Sequence, residues 1–262
     1  MGLRSFLILT ALALASCGGG SPPAATKSAP PATEDIAAGN TVPEEAEPPS
    51  AEPSETPAPP PAASNEAAVA APTSARFQLG KHYMRLSPTQ PTSSPPDKVE
   101  VAEVFWYGCP HCYALDPSVK SWVASKPEYV SFVRVPVVWS DVTKTHARAF
   151  YAAEALGKTG AMHDSMFREI HDNRDLLDTE DKLRAFFGTF GVDSAAFNAA
   201  YESAGVQAKV QRADELGRRY RVASVPTIVV NGKYVTDAGM AGGVEQLFAL
   251  IGELAASEHS GK

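Results

Sequence analysis

The chain has 262 residues, with 23 Lys and Arg against 30 Asp and Glu, a formal charge of −7. That charge is concentrated: residues 18–75 carry one base, Lys27, and eight acids, and Arg4 adds one positive charge before them, which leaves residues 76–262 with 21 bases and 22 acids. A near-neutral stretch of 187 residues without a basic block argues against nucleic acid as the main partner and has no attraction to an anionic membrane surface.

Residues 1–15 read as an export signal. Arg4 precedes an apolar run over 6–14 that is far shorter than the roughly 20 residues a spanning helix needs. The run ends in Leu14-Ala15-Ser16-Cys17, which resembles the bacterial lipobox, where the Cys is acylated and becomes the first residue of the mature chain. Cys17 is then a thioether rather than a thiol. Gly18 after it resembles lipoproteins sorted to the outer membrane. The alternative is an ordinary signal peptide with a chance Cys. Residues 18–75 hold 13 of the 22 prolines and no aromatic residue, so they cannot bury a core. They read as a disordered tether with an end-to-end distance of roughly 45 Å as a coil, or about 180 Å as polyproline helix. A proline-rich ligand for a partner's groove is the competing reading.

The elements that follow have two periods. Residues 99–107 (VEVAEVFWY) are β-branched and aromatic and predict a largely buried strand, broken by Gly108. Cys109-Pro110-His111-Cys112 then opens a stretch whose apolar positions, Leu115, Val119, Trp122 and Val123, fit a helix, and Pro110 suits its first turn. A strand is predicted over 130–138. Helices are predicted over 143–156, 160–171, from a cap at Asp178 or Thr179 to 190, from Asp193 through Phe197 and Tyr201, and over 206–220. The Met162/Met166/Phe167 stripe reads as helix core rather than a peptide groove. A strand from Val225 through Val230 meets Asn231-Gly232, a strong two-residue hairpin turn, and a last helix is predicted over 244–256.

Setting Cys17 aside leaves Cys109 and Cys112. Two cysteines three apart make a poor structural staple, because the loop they close is tiny. A zinc site needs two more ligands, and His82, His146, His163 and His171 show no paired spacing. No metal is expected, and redox chemistry remains. Cys109 sits where a helix N-terminus favours an anion, and His111 adds to that if protonated or donating. Its thiol is therefore expected well below the ordinary value of about 8.5, while Cys112, one turn in, is expected to be more buried and less acidic. That asymmetry has Cys109 meet the substrate and Cys112 close or open the internal disulfide. Glu103 lies in the apolar strand. If buried near Cys112 it would titrate high and relay that thiol's proton. The alternative is a surface acid, with Glu100 a candidate for the same face.

The run Phe105-Trp106-Tyr107-Gly108-Cys109-Pro110-His111-Cys112-Tyr113 resembles the active site of the DsbA family of periplasmic thiol:disulfide oxidoreductases. CxxC alone is a weak signal, and Pro-His between the cysteines after an aromatic strand is considerably stronger. The resemblance extends over nearly all of residues 80–256. It takes in Gly80 to Leu86 as the opening strand, Glu103 at the place of the family's buried acid, Ala152 to Gly157 at the end of the first inserted helix, and Val222 to Tyr234 as the cis-proline strand and hairpin. It implies an α/β thioredoxin fold with a helical insertion, residues 76–142 and 222–262 forming the thioredoxin-like part and 143–221 the insertion. It also implies that Pro226 is cis beside the CxxC, with the Val225 backbone pairing with substrate, and that Arg134, near the place where the family carries a base, pairs with Glu103.

The expected activity is that of a thiol:disulfide interchange enzyme, anchored by lipid at the periplasmic face of a bacterial membrane, outer rather than inner. It would donate the Cys109–Cys112 disulfide to unfolded or reduced exported proteins through a mixed disulfide at Cys109. A DsbB-like quinone-linked membrane oxidase would regenerate it. No cofactor beyond the redox-active disulfide is implied, and a monomer is expected. Two rivals remain: a reductase or isomerase of the same fold, and a lipoprotein that uses the CxxC only to bind a thiophilic metal or a partner.

Overall fold

The computed structural model describes residues 76–261. The export signal, the lipobox with Cys17 and the tether lie outside the described residues.

The centre is β2 (Val99–Phe105), buried at every position. It pairs in parallel with β3 (Val130–Pro136), and a parallel neighbour requires a crossover, supplied by α1 (Pro110–Ser125). On its other side β2 pairs antiparallel with β4 (Thr227–Val230), which continues through β5 (Tyr234–Thr236) to a short edge strand, β1 (Met84–Arg85). The order is β1-β5-β4-β2-β3. The expected opening strand over 80–86 reduces to two paired residues, because Gly80 turns the chain with a positive φ and only Met84 and Arg85 stand opposite β5.

Five helices lie between β3 and β4: α2 (Asp141–Ala155), α3 (Thr159–His171), α4 (Glu180–Gly188), α5 (Ser194–Tyr201) and α6 (Ala204–Arg219). Four of the five starts, all but that of α3, are fixed by side chains that accept from the third following N–H: Ser140 from Thr143, Thr179 from Lys182, Asp193 from Ala196 and Ser203 from Val206. Ser140, in a capping box with Thr143, moves the first start to Asp141, two residues ahead of the expected position. The helix expected to reach residue 190 stops at Gly188. A single turn, α7 (Ala238–Ala241), was not foreseen, since Ala-Gly-Met-Ala carries no apolar period. The last helix, α8 (Val244–Ser260), outlasts its expected end by one turn.

Apolar side chains segregate to the two faces of the sheet. Val99, Val101, Ile228 and Val230 pack with Leu115 and Val119 of α1 and with Leu247, Leu250, Ile251 and Leu254 of α8. Ala102, Val104 and Val135 pack with the inserted helices, through Ala147, Phe150 and Leu216 among others. Met162, Met166 and Phe167 are buried in that second cluster, so the methionine stripe is core. The β4–β5 turn has both Asn231 (φ 50°) and Gly232 (φ 63°) in the left-handed region, as a primed turn needs. Its register, Val230 opposite Tyr234, makes the connection one residue longer than expected. A Cβ at Gly232 would lie 2.1 Å from the Gln90 carbonyl oxygen, so the glycine also admits a close backbone approach. Glu258 of α8 holds this turn, accepting from Asn231 Nδ2 and Lys233 Nζ at 2.6 Å each.

Candidate active site

β2 ends at Phe105, and the next seven residues carry the CxxC into α1. Cys109 is the N-cap of α1, extended at φ −86° and ψ 118°, with Pro110 in the first turn where its missing N–H costs nothing. A side chain at this position faces the unpaired N–H groups of the first turn. Cys109 is nearly buried and Cys112 fully so, and both are free thiols in the structure. The Cys109 thiol is pulled down to about 6: the Cys112 thiol hydrogen-bonds to its sulfur, burial opposes, and the N–H groups of Cys112 and His111 and the His111 ring lower it further. The Cys112 thiol moves far the other way, pushed up by the same hydrogen bond and by burial, with the charges of Cys109 and Glu103 adding to it. Two sulfurs of one motif thus differ sharply in acidity. The difference follows from the hydrogen bond between the two sulfurs, which favours the Cys109 thiolate and the Cys112 thiol, and from the deeper burial of Cys112.

Cys109 Sγ donates to the Val225 carbonyl oxygen at 3.4 Å, which brings the start of β4 against the motif. The Val225–Pro226 peptide is cis. Val225 and Pro226 line a groove of about 440 Å³ together with His111, Leu115, Ala238 and Val244. Here His111 is exposed, Val225 and Pro226 are half-buried, and the groove opens beside the sulfur.

Below the motif lies a buried ionic chain. Glu103 accepts from Arg134 Nε at 2.9 Å, and Arg134 Nη2 donates to Asp116 Oδ1 at the same distance. The β2–β3 register sets Glu103 directly beside Arg134. Burial pushes Glu103 up to about 7, Arg134 opposes and Asp116 adds to the rise. Burial alone would raise Asp116 as well. The His163 hydrogen bond and the charges of His163, Arg134 and Lys120 hold it below the usual carboxylate range instead. The expectation of a buried Glu103 paired with Arg134 is met in its geometry. Glu100 is not a surface acid: it is buried, three residues away on the opposite face of β2, and accepts from the Ser93 and Ser94 N–H groups at 2.6 and 2.9 Å.

Three histidines, weighed in the sequence only as zinc ligands, grip the segment before Cys109. Trp106 Nε1 donates to His146 Nδ1 at 3.0 Å, the Tyr107 hydroxyl lies 2.8 Å from His163 Nδ1, and His171 Nε2 lies 2.8 Å from the Tyr107 carbonyl oxygen. All three belong to the inserted helices α2 and α3. The Trp106 ring so held passes over Gly108, where a Cβ would sit 2.3 Å from Cζ2, so Gly108 is required by that approach. Asp116, one turn after Cys112, was also missed. Only its helical phase, four residues beyond Cys112, could have placed it inward. Among the described residues, no group of three or more His, Cys, Asp and Glu side chains is placed to hold a metal ion.

The family model described as a DSBA-like thioredoxin domain matches residues 134–255. The thiol:disulfide interchange protein DsbA of Azotobacter vinelandii is 38% identical over 186 residues, covering 71% of this chain and 86% of that protein. The same protein of Burkholderia cepacia is 41% identical over 170 residues, covering 65% and 78%. The crystal structure of Pseudomonas aeruginosa DsbA superposes with a TM-score of 0.67 at 37% identity, over 71% of this chain and 96% of that one. The DsbA oxidoreductase of Xylella fastidiosa gives 0.66 at 30% identity, over 71% and 99%. Carrying the Cys109-Pro110-His111-Cys112 motif on that fold, the chain belongs to the DsbA family and is a thiol:disulfide oxidoreductase of the DsbA type.

Proposed function

We propose that the chain is a disulfide donor for exported proteins, with Cys109 the sulfur that meets substrate. One observation carries this reading: Cys109 is drawn down to about 6 while its partner Cys112 is pushed far up. In the oxidised enzyme a substrate thiolate attacks Cys109 Sγ. The Cys109–Cys112 bond breaks, and Cys112 takes the electron pair and then a proton. Glu103, ionising near 7 and coupled by charge to Cys112, supplies that proton. A second substrate thiolate then attacks the substrate sulfur of the mixed disulfide and releases Cys109 as its stabilised thiolate. Two substrate thiols become one disulfide, the enzyme becomes a thiolate and a thiol, Glu103 regains from solvent the proton it gave, and one proton is released in net. The Val225 carbonyl and the groove beside Pro226 would hold the extended substrate chain. A quinone-linked membrane oxidase of the DsbB kind would restore the disulfide, and the enzyme would work as a monomer.

The test is the reduction potential of the Cys109–Cys112 pair against glutathione, read by Trp106 fluorescence with Cys109→Ala as the blank. A stabilised Cys109 thiolate favours the reduced form, so the expected value is more oxidising than the roughly −200 mV of glutaredoxins. A value near roughly −270 mV, where thioredoxin lies, would make the chain a reductase.

Cys17 would carry the lipid that holds the enzyme at the periplasmic face of the membrane, the outer one being favoured. Cells expressing the full chain should incorporate labelled palmitate into it, and Cys17→Ala should abolish both the label and membrane fractionation. Equal labelling of the two proteins would remove the anchor.

A further inference from the structure

His163 has both ring nitrogens engaged. Nε2 lies 3.1 Å from Asp116 Oδ1, and Nδ1 lies 2.8 Å from the Tyr107 hydroxyl. An ionised Asp116 only accepts, so Nε2 carries the proton and the Tyr107 hydroxyl donates to Nδ1. Tyr107 is buried and its phenol is pushed far up, first by burial, so it stays a donor. Burial is also the largest influence on His163 and favours its neutral form. The charged and titratable groups around it are Asp116 and Lys120 of α1, Arg134 of β3, Asp164 of α3 and Tyr107.

The consequence lies in how Arg134 is shared. Asp116 Oδ1 receives two donors, Arg134 Nη2 at 2.9 Å and His163 Nε2 at 3.1 Å, while Oδ2 receives Lys120 at 3.2 Å. With that many donors, Asp116 needs only one N–H of the guanidinium, and Nε remains on Glu103 Oε2. Without the His163 donor, the fork geometry of Arg and carboxylate favours a two-point contact on Asp116. Glu103 would then lose part of its counter-charge in a site where burial already penalises its ionised form.

We propose that His163, on the inserted helix α3, is a positioning residue for Glu103: by donating to Asp116 it keeps Arg134 divided between the two buried acids, so the insertion governs the proton affinity of the carboxyl under the redox pair. The inference deepens the reading of Glu103 as proton partner of Cys112 and rests on that reading for its functional meaning.

The experiment is carboxyl NMR of the reduced full chain labelled at Glu side chains, with Glu103→Gln assigning the signal. In His163→Leu the Glu103 midpoint should rise by about one pH unit, a roughly tenfold tighter proton. In His163→Gln, whose amide N–H stands where Nε2 did, the midpoint should stay at its original value. Asp116→Asn approaches the same link from the other side and serves if His163→Leu does not fold. With the competing carboxylate gone, Arg134 turns to Glu103 and the midpoint should fall. An unmoved midpoint in His163→Leu, equal shifts in His163→Leu and His163→Gln, or no fall in Asp116→Asn would each overturn the proposal. The relay reading fails separately, if Glu103→Gln leaves the pH profile of disulfide transfer to a reduced substrate peptide unchanged while the midpoints move as expected.

Discussion

Serine at Cys112 should turn the enzyme into a trap that keeps one covalent adduct at Cys109, whereas serine at Cys109 should give no adduct at all. In Cys112→Ser the new hydroxyl can donate where the Cys112 thiol did, and Cys109 still caps α1 with the N–H groups of its first turn as anion partners, so it keeps thiolate character at pH 7. That thiolate attacks any disulfide offered to it, and no neighbouring sulfur resolves the product. In the reverse variant the remaining thiol is fully buried and its ionisation is pushed far up by burial, so it is neither accessible nor nucleophilic. The measurement is intact-mass spectrometry after brief exposure to oxidised glutathione at pH 7. One glutathione on Cys112→Ser and none on Cys109→Ser is expected, with a difference in rate of about a hundredfold or more from the thiolate fractions alone. Both variants should be inert in the oxidative refolding of a reduced substrate protein. Comparable labelling of the two would reverse the roles assigned to the sulfurs, because it would mean that Cys112 is the reachable one.

The parts of the site that were legible in the sequence are those encoded by contiguous residues. An aromatic strand, a breaking glycine and a Pro in the first turn of a helix are local features, and together they place Cys109 at a helix N-terminus before any coordinates exist. Asn231-Gly232 is legible for the same reason, since the pair meets the φ demand of its own turn. Contacts between distant segments were much less accessible. His146, His163 and His171 stand 40, 56 and 64 positions from the residues they bind, and in sequence each is a polar residue on an otherwise ordinary helix. Their role depends on how α2 and α3 fold back over the end of β2. Asp116 shows the same limit from the other direction. On its own helix it is one acid among polar neighbours, and only the approach of Arg134 from β3 and His163 from α3 makes it a buried hub. Glu103 was partly legible because an acid inside an apolar strand is anomalous wherever it points. Which face of β2 it takes, and that Glu100 is buried on the other, depended on the layers that cover the sheet.

The reduced protein should gain stability relative to the oxidised one between about pH 6 and about pH 8.5, and lose some of that gain at higher pH. Cys109 has its folded value lowered, to about 6, against about 8.5 in an unfolded chain. A lowered group contributes stability that is complete above its unfolded value and is lost as pH falls through its folded value. Between the two values the unfolded chain holds a proton that the folded one has given up, so stability rises with pH at up to about 1.4 kcal/mol per unit. Cys112 acts in the opposite sense. Its folded value is raised, so above about pH 8.5 the unfolded chain loses a proton that the folded chain keeps, and the curve turns down. Glu103, raised to about 7, stabilises the fold at pH below its ordinary value and loses that contribution as pH climbs through 7. Because it is present in both redox states, its effect largely cancels in the difference between them. Denaturant unfolding of the oxidised and reduced forms across pH 5 to 10 therefore isolates the two sulfurs, and iodoacetamide alkylation of Cys109 should show its midpoint near pH 6. Parallel curves for the two forms, with an alkylation midpoint at roughly 8.5, would mean that the helix end does not hold the thiolate. The thermodynamic drive for donating the disulfide would then have to come from somewhere other than Cys109.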